Sequence, residues 1–535
     1  MKAWKRAAIG VLSLAAMAMT TTAMAQESLV DLVRAGKREA VLAAITSPDL
    51  DVNTPAPDGA TALHWATYQV DHELVRALLK AGAKANVTNR FGSTPLTEAV
   101  KLGDVELVRM LLDAGADADS PNQDNQTALM LAANLGALDI ARMLLDKGAN
   151  VNAVEQFRGQ TALMWAAAEN HPEIVALLLA NGAEVSIRAK HDDWPRQMTS
   201  EPRAQFRPTG GLTPLLYATR SGCYRCVVAM VEAGADVNQP NPDGVTPLLN
   251  ALDSKSFDIA MYLLDKGAKP GVWDMNGRTP LYLAVDMNSF EPRGFFGFGG
   301  TPAMRRKIDV TAMEVVNRLI KMGVDVNHQL TRMRPNGPGR GRFADYMMRG
   351  GTSALMVATL SYDTVAIKTL LENGAEVDLP NVFQITPLMA ATGMSGNGRG
   401  PGGPMPPDIQ EKVIEVVDLL LAHGANINAQ VTDSRTHTGQ MDAYIQGVDL
   451  EGWTALFSAA EIGWFRVVQH LIERGADPAI RNANGLTALD AAKAPPRSGP
   501  SVRLDEVGRE ATVAYLSKLL GEPVPAATTK AAQNP

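Results

Sequence analysis

Short apolar stretches of helical period recur along this chain in pairs, and a glycine-led polar turn follows each pair. Ala128 to Leu135 and Leu138 to Lys147 show the unit most cleanly: two amphipathic helices separated by two residues. Within it, Ala132 and Ala133 let neighbouring helices approach closely, while Leu144 and Leu145 fill the space between units. A threonine followed two residues later by leucine opens each first helix, at Thr61, Thr94, Thr127, Thr161, Thr213, Thr246, Thr279, Thr386, Thr454 and Thr487, with Ser353 as a variant. Successive intervals are 33, 33, 34, 52, 33, 33, 74, 33, 68 and 33 residues. A dominant period in this range marks a stacked-repeat architecture.

Each second helix ends alike, as GAKAN from Gly82, GADAD from Gly115, GANVN from Gly148, GADVN from Gly234 and GANIN from Gly424. The glycine supplies the left-handed residue that stops a helix, and the threonine caps the free N–H groups at the next helix start. Gly92-Ser93-Thr94-Pro95-Leu96, the run from Gly59 to His64 and the GADVN turns resemble the ankyrin-repeat family, here expected to be of an exported bacterial type. The resemblance covers nearly all of residues 27–520 outside the interruptions. It implies an all-α repeat solenoid in which each unit is a helix pair with a hairpin finger. Tetratricopeptide-type pairs fail on both the period and the terminal turn. About twelve units are expected, including a diverged first unit over residues 27–53 and a last unit that begins at Gly485. That last unit closes with an amphipathic helix around Val513, Leu516, Leu519 and Leu520. The solenoid is assigned to residues 26–520, with a disordered tail over 521–535.

Five inserts break the rhythm. Residues 186–210, 328–350 and 429–450 fall in the fingers, while 287–308 and 393–411 fall between the two helices of a unit. The segments 186–210, 287–308 and 328–350 carry +2, +3 and +4. Basic, aromatic and methionine-bearing loops on an acidic scaffold read as a docking surface; solvated linkers are the alternative, since repeat arrays absorb insertions at little entropic cost. The residues selected as partner contacts are Trp194, Arg203, Phe206, Arg334, Arg342, Phe343 and Tyr346. Trp65, Trp165, Tyr217, Tyr68, Trp453, Phe457 and Trp464 read mostly as packing residues, with some left as anchors on the concave face.

Composition places the ends and the compartment. Lys2, Lys5 and Arg6 precede an apolar run from Ala7 to Met19, and Ala23-Met24-Ala25 is a small-x-small cleavage site. Residues 1–25 are therefore expected to be a cleaved signal peptide, with an uncleaved anchor as the alternative. The remainder is expected in an exported compartment: the periplasm of a Gram-negative cell, or secreted. Removing that peptide moves the net charge from -7 to -10, which argues against general affinity for nucleic acid. The RG-rich run from Arg340 to Gly351 superficially resembles RNA-binding segments but is not assigned to RNA. No stable membrane anchor is expected.

Searches for chemistry return little. The eight histidines include no metal-ligand spacing, and His72-Glu73-Leu74-Val75-Arg76 lacks the second histidine of a zinc motif. Gly36-Lys37 is not part of a phosphate loop, and Gly393 to Asn397 fails the nucleophile-elbow pattern at its last position. No catalytic, cofactor or metal residue is assigned. Cys223 and Cys226 form a C-x-x-C pair, for which a local disulfide and buried thiols both stay open. The sequence thus reads as a non-catalytic scaffold that binds a protein through its concave face and inserted loops. An accessory or inhibitory subunit of an exported enzyme, a redox enzyme included, is the alternative.

Overall fold

A computed structural model describes residues 27–192, 209–288, 309–331, 350–394, 408–432, 450–494 and 505–523. They form an all-helical repeat solenoid. Among them lie 24 helices in twelve pairs, with only isolated bridges His191↔Gly210 and Gln329↔Ser353 in place of strands. Contacts divide the chain into Met1–Ala189, which holds five pairs, and Lys190–Pro535, which holds seven. Expected and observed bounds agree closely in the third full unit, where the helices are Ala128–Leu135 and Leu138–Asp146 and Lys147 caps the second.

Local chemistry sets these bounds. The Thr94 hydroxyl accepts from the Thr97 N–H at 3.2 Å, and the Thr127, Thr161, Thr213, Thr246 and Thr386 hydroxyls cap their own helices likewise. Proline occupies the first helical position at Pro95, Pro214 and Pro247, where its missing N–H does no harm. Second helices end in a left-handed glycine: at Gly82 (φ 91°) the Ala83 N–H reaches back to the Leu78 carbonyl at 3.0 Å.

Packing joins units more than it completes any one of them. Ala66, Ala99, Ala132 and Ala166 are fully buried between successive first helices. Leu74, Leu78, Leu107 and Leu111 fill the layer beneath, each burial contributing roughly 2 kcal/mol. Ion pairs such as Arg76–Glu106 and Lys147–Asp113 link successive second helices at the surface, each worth well under about 1 kcal/mol.

A second tie crosses every junction where the turn ends in asparagine. Asn86 donates from Nδ2 to the Gly115 carbonyl at 2.9 Å and accepts the Asp117 N–H on Oδ1 at 2.7 Å. Asn53, Asn152, Asn238, Asn327 and Asn428 repeat both bonds. Where aspartate replaces asparagine, at Asp119 and Asp378, only the accepting bond remains, since a carboxylate has no proton to give. Asn327 reaches Gly374 across 47 residues, so this clamp holds even where an insert intervenes.

Three elements depart from expectation. The first helix of the tenth pair, Pro387–Met389, runs on as a π-helical turn, Ala390–Met394, around Gly393 (φ 98°). A Cβ at Gly393 would lie 2.6 Å from the Ile462 side chain. The next helix begins at Ile409, inside the segment read from sequence as an insert. In the closing helix, Glu506–Leu520, Leu516 is buried but Leu519 stands 47% exposed, so its packed face is narrower than the sequence pattern implied.

The loop between the two helices of a unit needs a left-handed residue, supplied by Gly103, Gly136, Gly222 and Gly463. Val70 holds the equivalent position at φ 58°, a conformation disfavoured for β-branched side chains. Val70→Gly is therefore expected to stabilise the protein by about 1 kcal/mol, read as a raised urea midpoint. An unchanged or lowered midpoint would refute the strain assigned to Val70.

Candidate partner-binding surfaces

The seven insert residues selected from sequence, Trp194, Arg203, Phe206, Arg334, Arg342, Phe343 and Tyr346, lie outside the described residues, as do residues 1–26 and 524–535. The necks of the three finger inserts are described. Gly211 donates to the Lys190 carbonyl at 3.0 Å, and Asp192 donates to that of Thr209 at 2.7 Å. Gly351 donates to Leu330 at 2.7 Å, and Gly452 to Val431 at 2.7 Å. In two necks a glutamine amide adds a second tie. Gln329 Nε2 donates to the Gly351 and Pro380 carbonyls, and Gln430 Nε2 to those of Gly452 and Arg481. Each finger insert therefore leaves and re-enters the body through a closed neck tied to the following finger, the first through Thr209 to Asp243 and Asn241 to the Gly210 carbonyl.

In Met1–Ala189 the fingers are short and fully described. Asn89 Oδ1 accepts from the N–H groups of Phe91 and Ser93, both at 2.9 Å, which folds the finger back on itself. Gly92 (φ 71°) leaves room for the next finger: a Cβ there would stand 2.6 Å from the Gln123 nitrogen. One backbone bond links successive fingers, from Arg90 N–H to the Asp58 carbonyl at 2.7 Å and from Gln156 N–H to that of Asp124 at 2.8 Å. The finger before Thr161 is one residue longer. There the buried Glu155 replaces the short acceptor, and its carboxylate takes the Phe157, Arg158 and Gln160 N–H groups at 2.6, 2.6 and 3.0 Å. This accounts for the single 34-residue interval, which is countable in the sequence.

Fingers and first helices line a common surface in this unit. One cleft of about 260 Å³ is bounded by Phe91, Thr97, Glu98, Lys101 and Leu131, and another of about 480 Å³ by Asp124, Gln126, Phe157, Arg158 and Trp165. Tyr68, Phe91 and Phe157 are 60%, 69% and 77% exposed, whereas Trp453, Phe457 and Trp464 are buried. The aromatic positions thus sort by place: those on the first unit's fingers and first helices face outward, and those in the eleventh pair pack inward. Trp65 is half-buried, meets Tyr68 edge-on at 5.8 Å, and carries the Arg34 guanidinium over its ring at 4.8 Å.

Three histidines, His64, His72 and His470, make ties within the fold. His64 Nδ1 accepts the Thr61 N–H at 3.1 Å, which leaves the proton on Nε2 to bond the Ser93 carbonyl at 3.1 Å. His72 reaches Asp104 and His470 reaches Asp418 across neighbouring second helices. Among the described residues no group of three His, Cys, Asp or Glu is placed to hold a metal, and no helix is long and apolar enough to cross a membrane. Cys223 caps the helix Tyr224–Glu232 and is joined to Cys226 in a disulfide, the Cα atoms 5.2 Å apart and both residues buried.

Residues 29–122, 103–189 and 215–291 match the family model described as ankyrin repeats (3 copies), and 384–431 and 451–483 match that of the single ankyrin repeat. Together these matches cover more than half of the chain. The chain is 31% identical over 143 residues to the B-cell lymphoma 3 protein homolog of Mus musculus, covering 27% of this chain and 24% of that protein. It is 38% identical over 152 residues to ankyrin repeat and SAM domain-containing protein 6 of Danio rerio, covering 26% and 18%. It is 27% identical over 149 residues to SH3 and multiple ankyrin repeat domains protein 2 of Homo sapiens, covering 28% and 6%. The chain therefore spans less than a quarter of the length of any of these relatives.

Burial holds the His64 imidazole below its usual value near 6.5, although the Ser93 carbonyl and the Glu98 and Asp58 carboxylates pull the other way. The unfolded chain then binds more protons than the folded one just below that value. The stability His64 contributes is intact above pH about 6.5 and lost as pH falls below it. His64→Ala should lower stability at pH 7.5 by about 2 kcal/mol and flatten the decline between pH 7 and 5.5, as measured by urea unfolding. Separately, Cys223 and Cys226 are expected to resist alkylation in the denatured, unreduced protein and to take two labels after reduction. Two labels without reductant would exclude the bond.

Proposed function

The chain belongs to the ankyrin-repeat family, and from that premise we propose that it is a non-catalytic scaffold that holds another protein in an exported compartment. One observation carries the binding part: Tyr68, Phe91 and Phe157 stand 60%, 69% and 77% exposed on the fingers and first helices of Met1–Ala189. Phe91 and Phe157 each line a cleft, and exposed large aromatics are the kind of residue that dominates protein-binding energetics. Tyr68 meets only the edge of Trp65, and Phe157 carries only the Arg158 guanidinium, so most of each ring stays exposed. The contacts extend, in this reading, to the insert residues Trp194, Arg203, Phe206, Arg334, Arg342, Phe343 and Tyr346, which bring basic and aromatic chemistry onto closed necks. Export rests on the basic and apolar N-terminal run that ends at Ala23-Met24-Ala25.

The test compares the full chain with two variants. One carries Tyr68→Ala, Phe91→Ala and Phe157→Ala together. The other lacks 193–208 and 332–349, so that both necks stay closed. Both are expected to keep the helical signal and the unfolding midpoint. Each is expected to lose at least tenfold in recovery of cross-linked partners from an envelope extract. Unchanged recovery with both variants would overturn the reading. N-terminal sequencing of protein from the envelope fraction is expected to begin at Gln26, an intact N-terminus would overturn cleavage, and recovery of the protein only from the cytoplasmic fraction would overturn the export assignment.

A further inference from the structure

We propose that the cleft beneath Trp165 receives an arginine side chain from the partner; this deepens the scaffold reading and rests on it. Trp65 and Trp165 each stand four residues after the threonine that opens their helix, at Thr61 and Thr161, so they occupy the same register position. Both indole N–H groups are buried without an acceptor, so each residue offers its surroundings ring surface and not a donor. Over Trp65 the chain supplies its own guanidinium, with Arg34 at 4.8 Å from the ring centroid. Trp165 is half-buried like Trp65, yet among the described residues no cation lies over its ring. The protein thus shows at one repeat what the same ring lacks three repeats on.

The charge of this unit favours the same occupant. Residues 27–189 hold 13 Lys and Arg against 21 Asp and Glu, so a basic partner segment is drawn to this unit. Asp124 lines the cleft with Trp165, and its exposed carboxylate has no hydrogen-bond or ion-pair partner among the described residues. Glu169 follows Trp165 by one helical turn, exposed and equally without a partner. Glu155, whose oxygens are taken up by three backbone N–H groups, adds a fixed negative charge at the cleft wall. Arg158, the cation already present, sits over Phe157 at 6.0 Å and leaves the Trp165 ring open. A planar cation stacked on Trp165 with its N–H groups toward Asp124 and Glu169 satisfies all three; a guanidinium does this better than an ammonium because its donors lie in the ring-stacking plane.

The probe is a short acetylated and amidated peptide with one arginine among glycine and alanine. Versions with citrulline or lysine in place of arginine serve as comparisons, each titrated against the full chain at low salt by calorimetry. The arginine peptide is expected to bind in the millimolar range, and citrulline to abolish binding. Asp124→Asn and Glu169→Gln, both at exposed positions, are each expected to weaken binding about threefold to fivefold, and Trp165→Leu at least fivefold. No arginine binding at millimolar peptide, equal binding of the citrulline peptide, or indifference to Asp124→Asn and Glu169→Gln would each overturn the proposal. Equal binding of the lysine peptide would overturn its assignment to a guanidinium. If the peptides fail while the Tyr68, Phe91 and Phe157 variant still loses its partner, the scaffold reading stands and only the arginine site falls.

Discussion

A helix pair of two or three turns cannot bury its own apolar face, and the organisation within each unit of this protein follows from that. Leu74 and Leu78 are buried because the next pair covers them, and Ala99 and Ala132 are small because a neighbouring first helix must come close. Stability accordingly resides at the junctions. The asparagine clamp is the polar part of the same junction: it satisfies a glycine carbonyl left over at a helix end and an N–H two residues beyond it. Its chemistry can be read residue by residue. Asparagine makes both bonds, and aspartate at 119 and 378 makes only the accepting one.

Junction-based stability explains why long inserts are compatible with the fold. Asn327 bonds Gly374 and Asn428 bonds Gly475 across intervals lengthened by the inserts, with the same geometry as the uninterrupted Asn53 to Gly82 bond. An insert that leaves its finger through a closed neck adds loop-closure entropy that grows only slowly with length and removes no junction contact.

The binding surface follows from the same economy of contacts. Side chains on the fingers and on the outward face of the first helices are not needed at any junction, so their identity is free to vary. That freedom is visible at one register position, which holds Trp65, Glu98, Leu131 and Trp165 in successive repeats. The surrounding fingers hold Phe91, Asp124, Phe157 and Arg158, again with no shared character. Variation at such positions is where a scaffold acquires its specificity.

Much of the fold was legible in the chain because its causes are local. Thr94 opens a helix through a bond to a residue three positions on, and Gly82 ends one through its own left-handed backbone; both follow from residue type and spacing. The 33-residue period then requires stacking. Other features depended on groups distant in sequence. The extra residue in the 34-residue interval was countable, but that Glu155 accommodates it with a longer acceptor required the folded finger. Trp65 and Trp165 share a register position, whereas Trp453 and Trp464 stand at other places around Thr454. Only the neighbours that folding brings up decide that the last two are covered and that Arg34 lies over the first. Periodicity determined the architecture because helix caps and helical faces act within a few residues. The tertiary structure decided which side chains remain for a partner, because exposure is set by what packs against them.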